Sequence, residues 1–240
     1  MRMRKKPNLI PRMEKCAQVQ IKNPKDFKEK WRESFAGYGK LWLELGCGKG
    51  RFTAGTAKEN PDVMLVAVEK VADAMVTGME RVCGEGIENV RFIDMDALEL
   101  REVFENAEIE RIFINFCDPW PKSRDAKHRL TAPGFLRSYA DILPLDGEIH
   151  FKTDNRPLFD WSLEQLSAEG WLLKEVTNDL HKDGVTGVMT DYEAKFHEQG
   201  VCINRLVAVK TQVTKNGLSG EVPRLRDAAL SDARGKADEA

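Results

Sequence analysis

The sequence lacks a dominant charge and any long apolar run. Its 240 residues carry 37 lysines and arginines against 39 acids, which gives a formal net charge of −2. This near-neutrality argues against a protein that covers itself with nucleic acid through an all-basic surface, although it leaves room for a local basic site. No window approaches the roughly 18 apolar residues of a transmembrane helix. No apolar stretch follows the basic start (residues 1–6, MRMRKK), so no secretory signal is predicted.

Cysteine and histidine are sparse. The five cysteines are Cys16, Cys47, Cys83, Cys117 and Cys202. Their number is odd and no two form a Cys-x-x-Cys pair, so we expect neither a disulfide framework nor a zinc site. The four histidines have no metal-ligand spacing, and we expect no metal. Unpaired cysteines are typical of the reducing cytoplasm, which is the predicted location.

The chain does contain an alternation of strand-like and helix-like segments. The predicted strands are residues 40–45, 64–69, 90–95, 111–116, 147–152, 171–176 and 201–209. The predicted helices are residues 52–59, 72–83, 133–143, 157–168 and 192–198. This alternation predicts an α/β fold with a mostly parallel sheet and helices on both faces. The last two strands have no full crossover helix beside them, and we expect them to pair antiparallel at the edge.

Composition divides the chain into three parts. Residues 1–30 are interpreted as a basic N-terminal arm and residues 31–210 as the folded domain. Residues 211–240 are polar and poor in aromatic side chains, which is typical of a disordered tail.

A glycine cluster lies where the first predicted strand turns into the first predicted helix. The segment ELGCGKGR (residues 44–51) places glycine at positions 46, 48 and 50. Glycines at such a turn allow positive φ and the close approach of a ligand to the backbone. The spacing is G-x-G-x-G, and Arg51 occupies the position at which the dinucleotide fingerprint G-x-G-x-x-G requires its third glycine. This departure disfavours an NAD-dependent oxidoreductase.

Acidic residues accompany this cluster. Glu69, Asp96 and Asp118 lie at or just past the ends of later strands, where open α/β sheets bind their ligands. Glu69 is placed to accept both ribose hydroxyls of an adenosine, and Asp96 to accept from an adenine amino group. Glu44, just before the glycines, is placed to receive an ammonium. An amino acid joined to adenosine satisfies these acids better than a dinucleotide does, which points to S-adenosyl-L-methionine (SAM), with S-adenosyl-L-homocysteine as the product.

The segment NFCDPWPK (residues 115–122) is the most unusual stretch of the chain. Its two prolines fix φ near about −65° and restrict the residues before them. We therefore expect a stiff exit from the fourth strand that holds Asp118 and Trp120 in place. Two roles stay open for Trp120, namely stacking on an extruded base and packing in the core.

At these motifs the sequence resembles the bacterial tRNA (guanine-N7-)-methyltransferases of the TrmB family. The resemblance covers about residues 1–209. Its matching segments are the basic start, residues 44–50, residues 116–122 with Arg124, Lys127, Arg129 and Leu130, FKTDN (residues 151–155) and TDYE (residues 190–193).

The resemblance implies a Rossmann-like, SAM-dependent methyltransferase fold. It implies methyl transfer from SAM to N7 of guanine in the variable loop of tRNA, at tRNA position 46. The implied SAM contacts are Glu44, Gly46, Gly48, Gly50, Glu69, Asp96 and Asp118, and Asp118 is also implied as the active-site residue. The implied substrate-binding residues are Lys122, Asp154, Thr190, Asp191, Tyr192 and Glu193.

Basic residues beside these motifs predict contact with tRNA phosphates. The two clusters are Arg2, Arg4, Lys5 and Lys6 near the start, and Lys122, Arg124, Lys127 and Arg129 after Asp118. Three alternatives are a SAM-dependent enzyme for a small molecule, an NAD-dependent oxidoreductase and a catalytically silent RNA-binding protein. The sequence does not rank Asp118 against Asp154 as the reader of the guanine edge, and it is compatible with a monomer or a homodimer.

Overall fold

The seven predicted strands form one sheet in the computed structural model, which describes residues 7–216. The strands are β1 (Lys40–Leu45), β2 (Val63–Glu69), β3 (Val90–Asp94), β4 (Arg111–Asn115), β5 (Glu148–Thr153), β6 (Leu172–Thr177) and β7 (Asn204–Val209). Their order is β3-β2-β1-β4-β5-β7-β6. The first five strands are mutually parallel, and β7 runs antiparallel to both β5 and β6. The predicted fold class, a mostly parallel sheet with antiparallel pairing at one edge, is confirmed.

The helices connect and cover these strands. They are α1 (Leu9–Lys15), α2 (Trp31–Ser34), α3 (Arg51–Glu59), α4 (Ala72–Gly84), α5 (Leu100–Val103), α6 (Pro133–Ile142), α7 (Arg156–Ala168) and α8 (Asp191–Glu198). Short 3-10 turns lie at Ala17–Val19, Pro24–Phe27, Ala97–Glu99 and Ser123–His128. The five helices that the sequence predicts are α3, α4, α6, α7 and α8, with ends within a residue of those expected.

Side-chain alternation along the strands divides the core into two layers. In β1, Leu41, Leu43 and Leu45 face one layer, which also contains side chains of α2, α5, α6 and α7. Trp42 faces the other layer, against side chains of α1, α3 and α4. Because successive strand residues point to opposite faces, a strand covered by helices on both faces is apolar almost throughout.

The segment expected to be a basic arm packs on the sheet from residue 7 onwards. Met13, Cys16 and Val19 are buried, and the backbone N–H of Ile21 donates to the carbonyl of Phe92 at 2.9 Å. Residues 1–6, which carry the first basic cluster, lie outside the described residues.

The predicted disordered tail begins at residue 211, but Thr211 and Thr214 donate to the carbonyl of Gly170 at 3.0 and 2.9 Å, so this start of the segment packs on the domain. The rest of the predicted tail, from residue 217 onwards, lies outside the described residues.

The strand order creates a crevice at one edge of the sheet. The chain moves outward from β1 to β2 and β3 on one side, and to β4 and β5 on the other. Ligands of open α/β sheets bind at the carboxyl ends of the strands where the order reverses in this way. The carboxyl ends of β1 and β4 flank that point, and they carry Glu44 and Asn115. Within residues 7–216, no helix is both long and apolar enough to span a membrane.

Candidate active site

The loop after β1 is held open by its glycines. Gly46 and Gly48 have φ of 77° and 55°, and a Cβ added to either would meet no atom within 4 Å. The backbone therefore requires these glycines, while the space above them stays free for a ligand. Gly50 serves packing, since its Cβ would lie 2.6 Å from the Cα of Gly78 in α4. The loop leads directly into α3.

Glu69 closes the next strand against this loop. One carboxylate oxygen accepts from the backbone N–H of Gly48 and the other from that of Val71, both at 2.9 Å. A carboxylate oxygen accepts more than one hydrogen bond, so both oxygens keep lone pairs for a ligand's hydroxyls. Asp96, beyond β3, is half-buried and accepts from the backbone N–H of Leu98 at 3.0 Å.

Glu44 is a buried carboxylate that is only 1% exposed. Thr53 donates to it at 2.6 Å, and the amide of Asn115 lies 3.5 Å away. Burial raises its pKa to about 7, against the smaller lowering effect of these hydrogen bonds. The amide oxygen of Asn115 is also buried and has no partner among the described residues. A buried acid beside an unsatisfied acceptor fits a ligand that brings an ammonium.

The loop after β4 presents Asp118 to solvent. Phe116 and Trp120 on either side of it have φ of 51° and 42°, left-handed conformations that cost about 1–3 kcal/mol each and cluster at functional sites. The guanidinium of Arg129 donates to the carbonyls of Pro119 and Trp120, at 3.0 and 2.9 Å. Asp118 is exposed, and among residues 7–216 no hydrogen bond or ion pair engages its carboxylate.

Arg129 has a different role from the one that the sequence predicts. The sequence groups it with cations that contact RNA, but its guanidinium faces inward and lies 4.4 Å from the ring of Trp161. Lys122 and Arg124 are exposed in the same segment, as predicted for residues that contact phosphate. The ring of Trp120 is half-buried against His128 and belongs to neither core layer.

Asp154 lies half-buried just past the end of β5. Its neighbours have local structural roles, because Thr153 accepts from the backbone N–H of Asn155 at 3.1 Å and Asn155 caps α7. These contacts fix the turn that carries Asp154.

The TDYE segment begins α8 with the predicted capping box. Thr190 accepts from the backbone N–H of Glu193 at 2.9 Å, and Glu193 accepts from that of Thr190 at 3.2 Å. Asp191 and Tyr192 point outward, and Tyr192 is 64% exposed. Glu193 has no exposed surface, so its carboxylate lies inside the protein.

Two residues that the sequence analysis does not name as site residues hold this buried carboxylate. The ammonium of Lys152 lies 2.6 Å from one oxygen of Glu193, and Nε2 of His181 lies 3.0 Å from the other. Lys152 belongs to FKTDN, and a lysine in a strand that is otherwise buried signals a buried partner charge. His181 carries no such signal in the sequence.

The structure thus brings the predicted cofactor residues to one edge of the sheet. At or just past the carboxyl ends of β1, β2, β3 and β4 lie Glu44 with the glycines, Glu69, Asp96 and Asp118. In the part of the chain that the structure describes, no group of three or more potential ligands is arranged to hold a metal ion.

Comparisons with known proteins agree with this arrangement. Residues 39–206 match the model of a family described as "Putative methyltransferase". A tRNA (guanine-N(7)-)-methyltransferase of Listeria monocytogenes is 44% identical over 209 residues, covering 87% of this chain and 98% of that protein. One of Bacillus subtilis is 42% identical over 206 residues, covering 85% and 97%.

Solved structures show the same fold at low sequence identity. The 16S rRNA methyltransferase KamB has a TM-score of 0.60 at 14% identity, covering 76% of this chain and 93% of that one. A 16S rRNA (adenine(1408)-N(1))-methyltransferase mutant from Catenulisporales acidiphilia has a TM-score of 0.55 at 14% identity, covering 77% and 93%. The fold is therefore the Rossmann-like fold of methyltransferases.

Proposed function

The chain belongs to the bacterial tRNA (guanine-N(7)-)-methyltransferase family, and from that premise we propose that it methylates N7 of guanine in tRNA, using SAM. We place the target in the variable loop, at tRNA position 46. The observation that carries the proposal is the exposed carboxylate of Asp118, held in a strained loop after β4, the strand next to the one that leads into the glycine cluster, and followed by exposed cations.

The residues at the sheet edge fit SAM. Glu44 would hold its ammonium and Glu69 its ribose hydroxyls, while Asp96 would accept from its adenine amino group. The open space above Gly46 and Gly48 leaves room for its chain. Bound SAM supplies an electrophilic methyl group on a sulfonium.

For this reaction the protein has two tasks, which are to align guanine N7 with the methyl group and to stabilise the positive charge that develops on the guanine. Guanine N7 is a lone-pair acceptor without a proton, so no general base is needed. The protein must hold N7 in line with the methyl group, which is a proximity effect. Positive charge develops on the guanine ring, and the Asp118 carboxylate would stabilise it. Asp118 or Asp154 would accept from the guanine N1–H and amino group, which adenine does not offer in the same pattern.

The tRNA would approach over the exposed residues beside this edge. Lys122 and Arg124 would contact phosphates. A guanine inside tRNA must be extruded to reach the crevice, and unstacked RNA bases are commonly held on aromatic rings. The exposed ring of Tyr192 and the first turn of α8, with Thr190 and Asp191, would form the wall opposite Asp118. Free thiols at all five cysteines support a cytoplasmic location for the protein.

A methylation assay tests the proposal. Purified protein is incubated with labelled SAM and unmodified tRNA, and the product is treated to cleave the strand at N7-methylguanine. We expect label in tRNA and one cleavage in the variable loop. The same reaction on tRNA with adenosine at position 46 is the control and should give no cleavage. Label without N7-specific cleavage, or transfer only to a small molecule, would contradict the proposal.

A further inference from the structure

We infer that Lys152 and His181 are positioning residues that set the substrate-facing turn of α8 by holding the buried carboxylate of Glu193. The inference rests on the proposed function, because that turn carries the residues proposed to meet tRNA. It gives Lys152, the unassigned member of FKTDN, a role. It also gives Glu193 a role that does not require contact with RNA.

The three side chains form a closed buried group. The Lys152 side chain is 9% exposed, that of His181 is 3% and that of Glu193 is 0%. Lys152 binds one oxygen of the carboxylate and His181 the other. With the backbone N–H of Thr190, the carboxylate receives three contacts from three separate parts of the chain.

The same group fixes the segment before α8, residues 181–190, which we call the strap. The ammonium of Lys152 donates to the carbonyl of Val188 at 3.1 Å. The backbone N–H of Thr186 donates to Nδ1 of His181 at 3.2 Å. Since Nδ1 accepts, Nε2 carries the ring proton and donates to Glu193. Both ends of the strap are thereby tied to one carboxylate.

Lys152 also adjoins the cofactor side of the crevice. Its ammonium lies 5.0 Å from the ring centre of Phe52, the residue beside Thr53, which binds Glu44. Its backbone carbonyl accepts from the N–H of Phe116, at the start of the loop that carries Asp118. One residue of β5 therefore contacts the strap, the Asp118 loop and the helix that borders the cofactor residues.

The first turn of α8 carries both exposed and buried side chains. Asp191 and Tyr192 are exposed, with Asp191 also 3.9 Å from the guanidinium of Arg81 in α4, while Glu193 points to Lys152. A helix turn is rigid, so a change in how Glu193 is held changes where Asp191 and Tyr192 lie. Buried ion pairs are weak contributors to stability because the cost of desolvation offsets their attraction. In this protein the buried group of Lys152, His181 and Glu193 instead fixes one orientation of the first turn of α8.

The test compares Lys152→Met, His181→Gln and Glu193→Gln with wild type, using steady-state methylation of tRNA. We expect each variant to raise the KM for tRNA by about tenfold or more, with a smaller change in the KM for SAM. In Lys152→Arg the KM for tRNA should rise much less than in Lys152→Met, because arginine keeps the positive charge. Lys174→Met is the matched control on the same sheet, since Lys174 is exposed, and it should behave as wild type.

A double-mutant cycle separates positioning from direct contact. If Lys152 acts through Glu193, Lys152→Met combined with Glu193→Gln raises the KM for tRNA no further than the larger single effect. This double variant also buries no unpaired charge, so it recovers thermal stability while the KM stays high. A wild-type KM in Lys152→Met, a fully additive double variant, or a KM that recovers with stability would overturn the inference.

A second measurement does not depend on activity. Lys182 is an exposed trypsin site within the strap. In Lys152→Met and His181→Gln, we expect cleavage after Lys182 at least about tenfold faster than in wild type, with Lys174→Met unchanged. Unchanged cleavage would overturn the inference even if the wild type proved to methylate another substrate. Fast cleavage in a protein inactive on tRNA would instead count against the proposed function alone.

Discussion

Glu44 is a carboxylate with almost no contact with water, and its pKa of about 7 follows from that burial. The folded protein therefore binds a proton at Glu44 between about pH 4.5 and 7 that the unfolded chain has released. The contribution of Glu44 to the stability of the protein without ligand therefore falls as the pH rises through this window. The residue is retained at a cost to folding, which is typical of binding sites.

The isosteric variant Glu44→Gln should expose this cost. It keeps an acceptor for Thr53 and removes the buried charge, so at pH 8 we expect it to be more stable than wild type by up to about 3 kcal/mol. The difference should shrink as the pH falls through 7 and vanish near 4.5. Urea unfolding at pH 5 and pH 8 measures it, and an equal stability of both proteins at pH 8 would contradict it.

The same carboxyl predicts how SAM binding depends on pH. The ligand's ammonium favours the ionised form, so SAM must displace a proton from Glu44 at low pH. We expect the Kd for SAM to rise about tenfold between pH 8 and pH 6. Calorimetry at both values measures this change. In Glu44→Gln binding should be weak at both, and a Kd in the wild type that does not change with pH would refute the role of Glu44.

Asp118 is the opposite case, an exposed acid in a strained loop. Asp118→Asn keeps the shape of the side chain and removes the charge that would stabilise the methylated guanine, so we expect kcat to fall by about 100-fold or more. Asp62→Asn, exposed just before β2 at the opposite edge of the sheet, is the matched control and should retain activity. Near wild-type turnover in Asp118→Asn would rule out Asp118 as the catalytic residue.

At the scale of elements, the strap packs so closely against α3 that the contact requires a glycine in the helix. Gly55 lies within α3, and a Cβ there would be 2.6 Å from Cγ1 of Val188. Gly55→Ala gains about 1 kcal/mol of helix propensity, yet we expect no rise in Tm because the strap is pushed away. Gly134→Ala in α6, where a Cβ meets nothing within 4 Å, is the control.

A second substitution tests the cause of this effect. Val188→Ala combined with Gly55→Ala removes the clash, so Tm and the KM for tRNA should return towards wild type. If Gly55→Ala alone were as stabilising as Gly134→Ala and fully active, the strap would not depend on its contact with α3.

Sequence periodicity predicted the long elements and missed the short ones for a physical reason. Four of the six residues of β1 and six of the seven residues of β2 are apolar, which signals a strand covered on both faces. Helices α1, α2 and α5 span only four to seven residues, too few to show a helical period, and their stability comes from buried anchors such as Trp31.

The sequence predicted the residues proposed to bind SAM better than the contacts that hold Glu193. The glycines and the strand-end acids are recognisable because their positions follow from strand ends along the chain. The contact between Lys152 and Glu193 joins a strand and a helix 41 positions apart, with α7 and β6 between them in the chain, and no local spacing indicates such a contact. The inward orientation of Arg129 could not be predicted from the sequence either, because a run of basic residues does not indicate which one packs on Trp161.

At the scale of the molecule, the net charge of −2 is the sum of acidic and basic residues that lie in different regions. Acids gather around the crevice, and exposed cations follow Asp118 at Lys122 and Arg124. We expect tRNA affinity to fall with salt, and Lys122→Ala and Arg124→Ala each to reduce the slope of log K against log salt by about one. Lys174→Ala is the control, and filter binding across a salt series measures the slope. An unchanged slope in both variants would remove these cations from the interface.

The position of β7 between β5 and β6 has a consequence for biosynthesis. β6 pairs only with β7, which the ribosome makes about 30 residues later. The five parallel strands and their acids can assemble on the emerging chain first. The strap and α8 are made after all five parallel strands, and the two strands that flank them in the chain, β6 and β7, pair only once β7 has been made. A nascent chain would therefore complete the half that fits SAM before the half proposed to hold tRNA.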